Sequence, residues 1–228
     1  MKTYIIRLEE NPHSCRMAQE CFDQAVKHGL QPEFFKAING NNIEYYRKKE
    51  NIKPGKKFKK SRPGVHGCFF SHYYLWKQCV QDNLPYIILE HDGFILNYID
   101  NNILKSFDDV LTLDRLDPFS NDYNKTIQQE EHSAFEVRDY INISAKYIIS
   151  KTYPEVTNYF KGAYAYIIKP KAAKKLIEHI SEHGYLPADQ QINSTILKLN
   201  TVVPSLARLH PYYAIGDNIR TESLTRNL

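Results

Sequence analysis

Two acidic side chains separated by a single residue, Glu90 and Asp92 with His91 between them, close the apolar run PYIILEHDGFIL at residues 85–96. Carboxylates this near each other repel unless a cation or hydrogen-bond donors neutralise them, and an all-oxygen pair suits Mg²⁺ or Mn²⁺. In an extended strand residues 90 and 92 point the same way and His91 the other, so the two acids can face one ligand. The competing reading is a strand end satisfied by turn and cap contacts. Other groups able to do chemistry are Ser71 and His72 in GCFFSHYYLWKQCV, Asp189 in PADQQI and His210 in RLHPYY. Cys15, Cys21, Cys68 and Cys79 form no CxxC pair and no zinc-like grouping with histidine, so they read as reduced, partly buried thiols with no functional part.

The elements that must position these groups alternate. TYIIRL is a β-branched strand, and Met17, Cys21, Phe22, Ala25 and Val26 repeat at helical spacing over residues 15–28, before Gly29. PEFFKAI reads as a second strand closed by the turn NGNN. Phe69, Tyr73, Trp76 and Val80 form one stripe of a helix that ends near Asn83 and Pro85. The acidic strand follows, then DDVLTLD and GAYAYIIKP as further strands, with helices over 171–183 and 189–199; residues 117–145 are polar and give no clear element. Strands with continuous apolar cores between helices imply an α/β fold with a mostly parallel sheet covered on both faces. In such sheets ligands bind beyond the carboxyl ends of the strands, where Glu90 and Asp92 lie.

Length and composition set limits. With 228 residues, 42% hydrophobic and 25% charged, the chain reads as one domain over 1–228. It has no apolar stretch of spanning length, and MKTYIIRLEE lacks a signal peptide's apolar centre, which points to the cytosol. The net charge is +4, yet six of the ten positions 53–62 are basic, so the rest of the chain sums to −2. That stretch, within a basic loop expected to be exposed and mobile over 47–64, reads as a solvated linker, an anion-binding lid, or an attachment to an anionic membrane or nucleic acid. No zinc-finger spacing, RNP aromatic set or heptad-borne basic region accompanies it, which argues against nucleic acid.

Seven stretches in order resemble glycosyltransferase family 25, the lipopolysaccharide and collagen-type galactosyltransferase group. They are YIIRLEENPHSCR with Arg16, FFKAINGNN with Ala37 and Gly40, GVHGCFFSHYYLWKQCV with Gly67, Ser71 and His72, LPYIILEHDGFI, DDVLTLD, GAYAYIIKPKAAKKLIE and PADQQI. The resemblance implies a GT-A-like, Rossmann-type fold and inverting transfer of a hexose, usually galactose, from a UDP-sugar to a hydroxyl of a glycan or glycolipid such as lipooligosaccharide. It implies a divalent metal, Mn²⁺ or Mg²⁺, on Asp92 with Glu90, joined by His210. The donor would meet Arg16, Ala37, Gly67, Ser71, His72 and Glu90, with Gly162 and Ala163 letting the backbone approach the sugar. Inversion calls for one general base, for which Asp189 is the candidate; helix capping or a sugar contact is its alternative. Likewise His72 reads as a ligand contact or a satisfied core histidine, and Gly162 and Ala163 as packing residues. Peripheral attachment at the inner face of the membrane would go with a glycolipid acceptor. His91 stands where the family triplet has an aspartate, so an inactive sugar-nucleotide-binding or scaffold relative is a second reading, and a polyanion-binding module is a third.

Overall fold

A computed structural model describes residues 1–55, 58, 61–114, 136–139, 156–160 and 162–210. Most of the polar stretch 117–145 and Lys56, Lys57, Lys59 and Lys60 of the basic segment lie outside them.

Strand β1 (Lys2–Arg7) leads into α1 (Pro12–Lys27), whose start is set by Asn11: its side chain accepts the Ser14 N–H at 3.0 Å, and Pro12 occupies the first turn. Next come β2 (Pro32–Lys36), a 3-10 turn Gly40–Asn42, α2 (Ile43–Glu50) and the long α3 (Pro63–Asp82). β3 (Tyr86–Glu90), β4 (Gly93–Ile95) and β5 (Val110–Thr112) follow. The remainder is β6 (Glu136–Asp139), β7 (Ala165–Ile168), α4 (Pro170–His183), α5 (Ala188–Gln191), β8 (Leu199–Val203) and β9 (Ala207–Leu209).

Among the described residues seven strands make one sheet in the order β2-β1-β3-β7-β5-β8-β6. β1 pairs in parallel with β2 and β3, and β5 with β8, whereas β7 and β6 run antiparallel to their neighbours. The sheet is thus mixed and mostly parallel, the α/β arrangement that the alternating elements imply. β4 and β9 form a separate two-stranded ribbon.

Alternation along the central strands sends Tyr4, Ile6, Tyr86, Ile88, Tyr166 and Ile168 to one face, where α3 and α4 cover them with Phe69, Trp76 and Leu176. Ile5, Ile87, Leu89 and Ile167 face the other way, against Met17, Ala18 and Cys21 of α1 and Ile95 and Leu209 of the ribbon. Each such fully buried side chain contributes about 1.5–3 kcal/mol.

Two sequence expectations change. The helix read over 189–199 is a single turn, because the Asn193 side chain donates to the carbonyls of Gln190 and Gln191 and accepts from the Thr195 N–H, replacing the next turn's hydrogen bonds. The segment read as an exposed loop over 47–64 is helical through Glu50 and anchored further on. Phe58 is fully buried, stacked on His66 at 4.4 Å and edge-on to Tyr185, and the Gly55 N–H donates to the Tyr185 carbonyl at 2.9 Å. An aromatic residue amid lysines has no apolar neighbour in sequence and finds its partners on α3 and after α4.

Candidate active site

A cavity of about 510 Å³, counted with its open mouth, lies at the carboxyl ends of β1, β2 and β3. Ile6, Leu8, Ala37 and Ile38 form its apolar wall, and Ser71, His72, Cys68, Glu90 and His91 its polar side. Two glycines bring α3 close to the loop after β2: a Cβ on Gly67 would stand 2.4 Å from the Ile38 carbonyl oxygen, and one on Gly40 would stand 2.0 Å from that of Pro63. Ser71 fastens the same contact. Its Oγ donates to the Gly67 carbonyl and accepts the Ile38 N–H, both at 2.8 Å.

One turn along α3 from Cys68, His72 is fully buried. Its Nδ1 is 2.8 Å from Tyr166 Oη, which also accepts the Trp76 indole N–H at 2.9 Å, and its Nε2 is 3.2 Å from Glu90 Oε1. Cys68 Sγ approaches the same carboxylate oxygen at 3.8 Å. The Glu90 side chain keeps 21% of its surface open to the cavity. Burial alone would raise its pKa, but the hydrogen bond and charge of His72, with His91 and Cys68, hold it below the ordinary value.

The neighbouring acids are shifted the other way. Asp92 is pushed up to about 6 by burial and by the charge of Glu90, against the opposing influence of His91. Asp189 is pushed up to about 7 by burial first and Glu90 second. The Cys68 thiol rises well above its ordinary value through burial and then the charges of Glu90, Asp189 and Asp92, so all four groups share one electrostatic neighbourhood. Asp189 Oδ1 accepts the Gln190 N–H at 2.9 Å, a local cap contact that leaves its other oxygen uncommitted to it.

The remaining expected residues are placed differently. β3 ends at Glu90 and residues 91–92 form a turn, so strand alternation does not extend to them, and His91 is among the residues lining the cavity beside Glu90. His210 is tied to Asp92 through its backbone, N–H to carbonyl at 2.7 Å, while its ring Nε2 lies 2.9 Å from Glu20 Oε2 on α1. Arg16 is exposed on α1, 3.0 Å from His13 Nδ1, and is not part of the cavity wall. Gly162 takes a φ of +96°, and Ala163 is 3% exposed within the core, so backbone conformation and packing account for both. The reading of the cysteines as carrying no site needs correction for Cys68. All four are free, yet Cys68 joins His72 and Glu90 in a group whose ligand atoms lie within 4.8 Å of one another. Their spacing along α3 was visible in the sequence; the carboxylate that completes the group came from another element.

The sequence model of glycosyltransferase family 25 (LPS biosynthesis protein) matches residues 1–192. The chain belongs to this family. It is also similar to a Glycosyltransferase 25 family member of Aedes aegypti, 26% identical over 198 residues that make up 83% of this chain and 30% of the relative. The chain therefore spans less than a third of that relative's length. The family 25 match contains the cavity, Glu90, Asp92 and Asp189, and stops short of His210.

A divalent cation of the kind expected for this member of family 25 fits one feature of the site. Asp92 Oδ1 is buried and has no hydrogen-bond partner among the described residues, in a position where Glu90 adds negative charge. An ion taken up by Asp92 and Glu90 would satisfy that oxygen and relieve the repulsion.

Proposed function

We propose that this family 25 chain is an inverting, metal-dependent glycosyltransferase that moves a hexose, galactose in the first instance, from a UDP-sugar to a hydroxyl of a glycan or glycolipid such as lipooligosaccharide. The observation that carries this reading is the split between two neighbouring acids: Glu90 held ionised by His72, and Asp189 pushed up to about 7. A carboxylate with a value near neutrality is matched to general-base work. Asp189 takes the proton of the acceptor hydroxyl as that oxygen forms its bond to the anomeric carbon, while the bond from that carbon to the UDP oxygen breaks on the opposite face. The apolar wall of Ile6, Leu8, Ala37 and Ile38 suits the flat face of the uracil, and Ser71 holds that wall against α3. Mn²⁺ or Mg²⁺ held by Asp92 and Glu90 would supply neutralisation of the charge gathering on the departing diphosphate.

The family's description as LPS biosynthesis supports a lipid-linked glycan as acceptor. No helix of the described residues is long and apolar enough to cross a membrane; the exposed cations Lys48, Lys49, Lys53 and Arg62 offer a lipid-borne acceptor an electrostatic contact. One observation favours a second reading. His91 lies on the cavity wall and opposes the rise of Asp92, in the place where the family triplet carries an acid. A relative that binds sugar nucleotide without turning it over would have this arrangement.

Calorimetry with UDP and UDP-galactose, first with Mn²⁺ and then with EDTA, tests the assignment alongside product formation. Binding that needs the metal and disappears in Asp92→Ala is the expected result. Binding equal in EDTA and in Asp92→Ala sinks the metal assignment, and metal-dependent binding without turnover on any glycan acceptor selects the second reading.

A further inference from the structure

Cys68, His72 and Glu90 have a geometry that the transferase reading does not use. Cys68 and His72 stand four residues apart on α3, hence on one face, and Glu90 enters from the end of β3. A tetrahedral Zn²⁺ with bonds of about 2.3 Å to sulfur and about 2.0 Å to nitrogen and oxygen requires ligand atoms about 3.3–3.5 Å apart. Here Nε2 and Oε1 are 3.2 Å apart and Sγ and Oε1 3.8 Å, and the three ligand atoms all lie within 4.8 Å of one another, so drawing them onto one ion takes side-chain movement of about an ångström. All three residues line the cavity, which leaves a fourth position facing its interior.

The surroundings orient the imidazole as metal sites do. To ligate, Nε2 must give up the proton that it directs at Glu90 and present its lone pair, leaving the ring proton on Nδ1. Tyr166 Oη, 2.8 Å away, is placed to accept that proton, and its two lone pairs serve both His72 and the Trp76 N–H. A thiol binds metal as the thiolate, so uptake of the ion releases its proton to solvent. Sulfur, imidazole and one carboxylate form a softer set than Asp92 with Glu90 and select Zn²⁺ over Mg²⁺.

We propose that Cys68 Sγ, His72 Nε2 and Glu90 Oε1 form a Zn²⁺ site whose open position faces the nucleotide cavity. Because Glu90 belongs to both sets, Zn²⁺ here withdraws it from Asp92 and opposes donor binding; this second statement rests on the transferase reading.

The purified chain is titrated with Zn²⁺ against a chromophoric chelator, and with Co²⁺ to look for thiolate-to-cobalt charge-transfer absorption. One equivalent bound with a thiolate band is expected. Cys68→Ser loses the band, Cys15→Ser and His183→Ala keep it, and Tyr166→Phe weakens Zn²⁺ binding by about 10–100-fold. His183 is included because its ring stacks on His179 at 4.4 Å and offers a competing surface pair. Circular dichroism melts check folding, and if Cys68→Ser does not fold, Glu90→Gln carries the same titration. A missing thiolate band, a band that survives Cys68→Ser, or an equivalent lost in His183→Ala overturns the site. Zn²⁺ uptake through Cys68 in a chain that never binds UDP supports the site and removes the transferase reading, whereas Mn²⁺-dependent UDP binding without a thiolate band does the reverse.

Discussion

Asp189 and Glu90 are carboxylates close enough for the charge of one to act on the other, and their surroundings drive them apart. Burial is the largest influence on Glu90, yet the hydrogen bond and charge of His72 together with His91 and Cys68 outweigh it, whereas Asp189 has burial and the charge of Glu90 against it. As a base, Asp189 works only when ionised, so turnover under saturating donor should rise with pH through about 7 and then level off. Asp189→Asn should lower kcat by about 10²–10⁴-fold while UDP affinity is kept, as read by single-turnover assays and calorimetry. Stability gives an independent check. The folded value of about 7 lies above the ordinary 3.8, so the stability tied to this group is present below about pH 4 and lost as pH rises to about 7. Asp189→Asn should therefore melt higher than the parent at pH 8, with the difference narrowing toward pH 4 and each kcal/mol worth about 2–4 °C. An equal or lower melting temperature at pH 8 would place Asp189 in solvent.

At the scale of elements, the cavity depends on how closely α3 approaches the end of β2. Gly67 lies where that backbone contact leaves no room for a side chain, and Ser71 bridges it. Gly67→Ala should cost about 1–3 kcal/mol and weaken nucleotide binding together, measured by thermal melts and by UDP titration. A loss of stability with unchanged affinity would separate α3 packing from the cavity. The strands and the long helices were legible because apolar periodicity over β1, α1, α3 and β3 is local and strong. The turn at Ala188–Gln191 was not: Asn193 diverts the backbone hydrogen bonds, and periodicity carries no record of a side chain competing with the helix.

For the whole molecule, charge is unevenly distributed. Residues 47–62 hold nine basic positions and one acidic, a net +8, so with a total of +4 the rest of the chain sums to −4. Ile52 and Phe58 are buried at 6% and 0% exposure and fix this stretch to the body, while Lys48, Lys49, Lys53 and Arg62 are exposed. The excursion starts after Gly40 and returns at Gly64, both on the cavity wall, so these cations belong to its neighbourhood. Sedimentation with vesicles containing anionic lipid should show binding that falls as salt rises and the screening length shortens from about 10 Å at 0.1 M toward about 3 Å at 1 M. Lys48→Glu with Lys53→Glu should weaken it at low salt. Retention that ignores salt or survives both changes would rule out an electrostatic attachment.

The amino-acid sequence alone determined the alternation of strands and helices, the acids at the end of β3 and the likeness to family 25, since each is written in residues adjacent along the chain. Tertiary structure decided the rest. It set the antiparallel run of β7, the burial of Phe58 and the contact of His72 with Tyr166, 94 residues away. It also turned Cys68 from a packing residue into a neighbour of Glu90, and it separated two chemically identical carboxyl groups. Burial and through-space charge depend on what folds against a residue, and no local pattern encodes them.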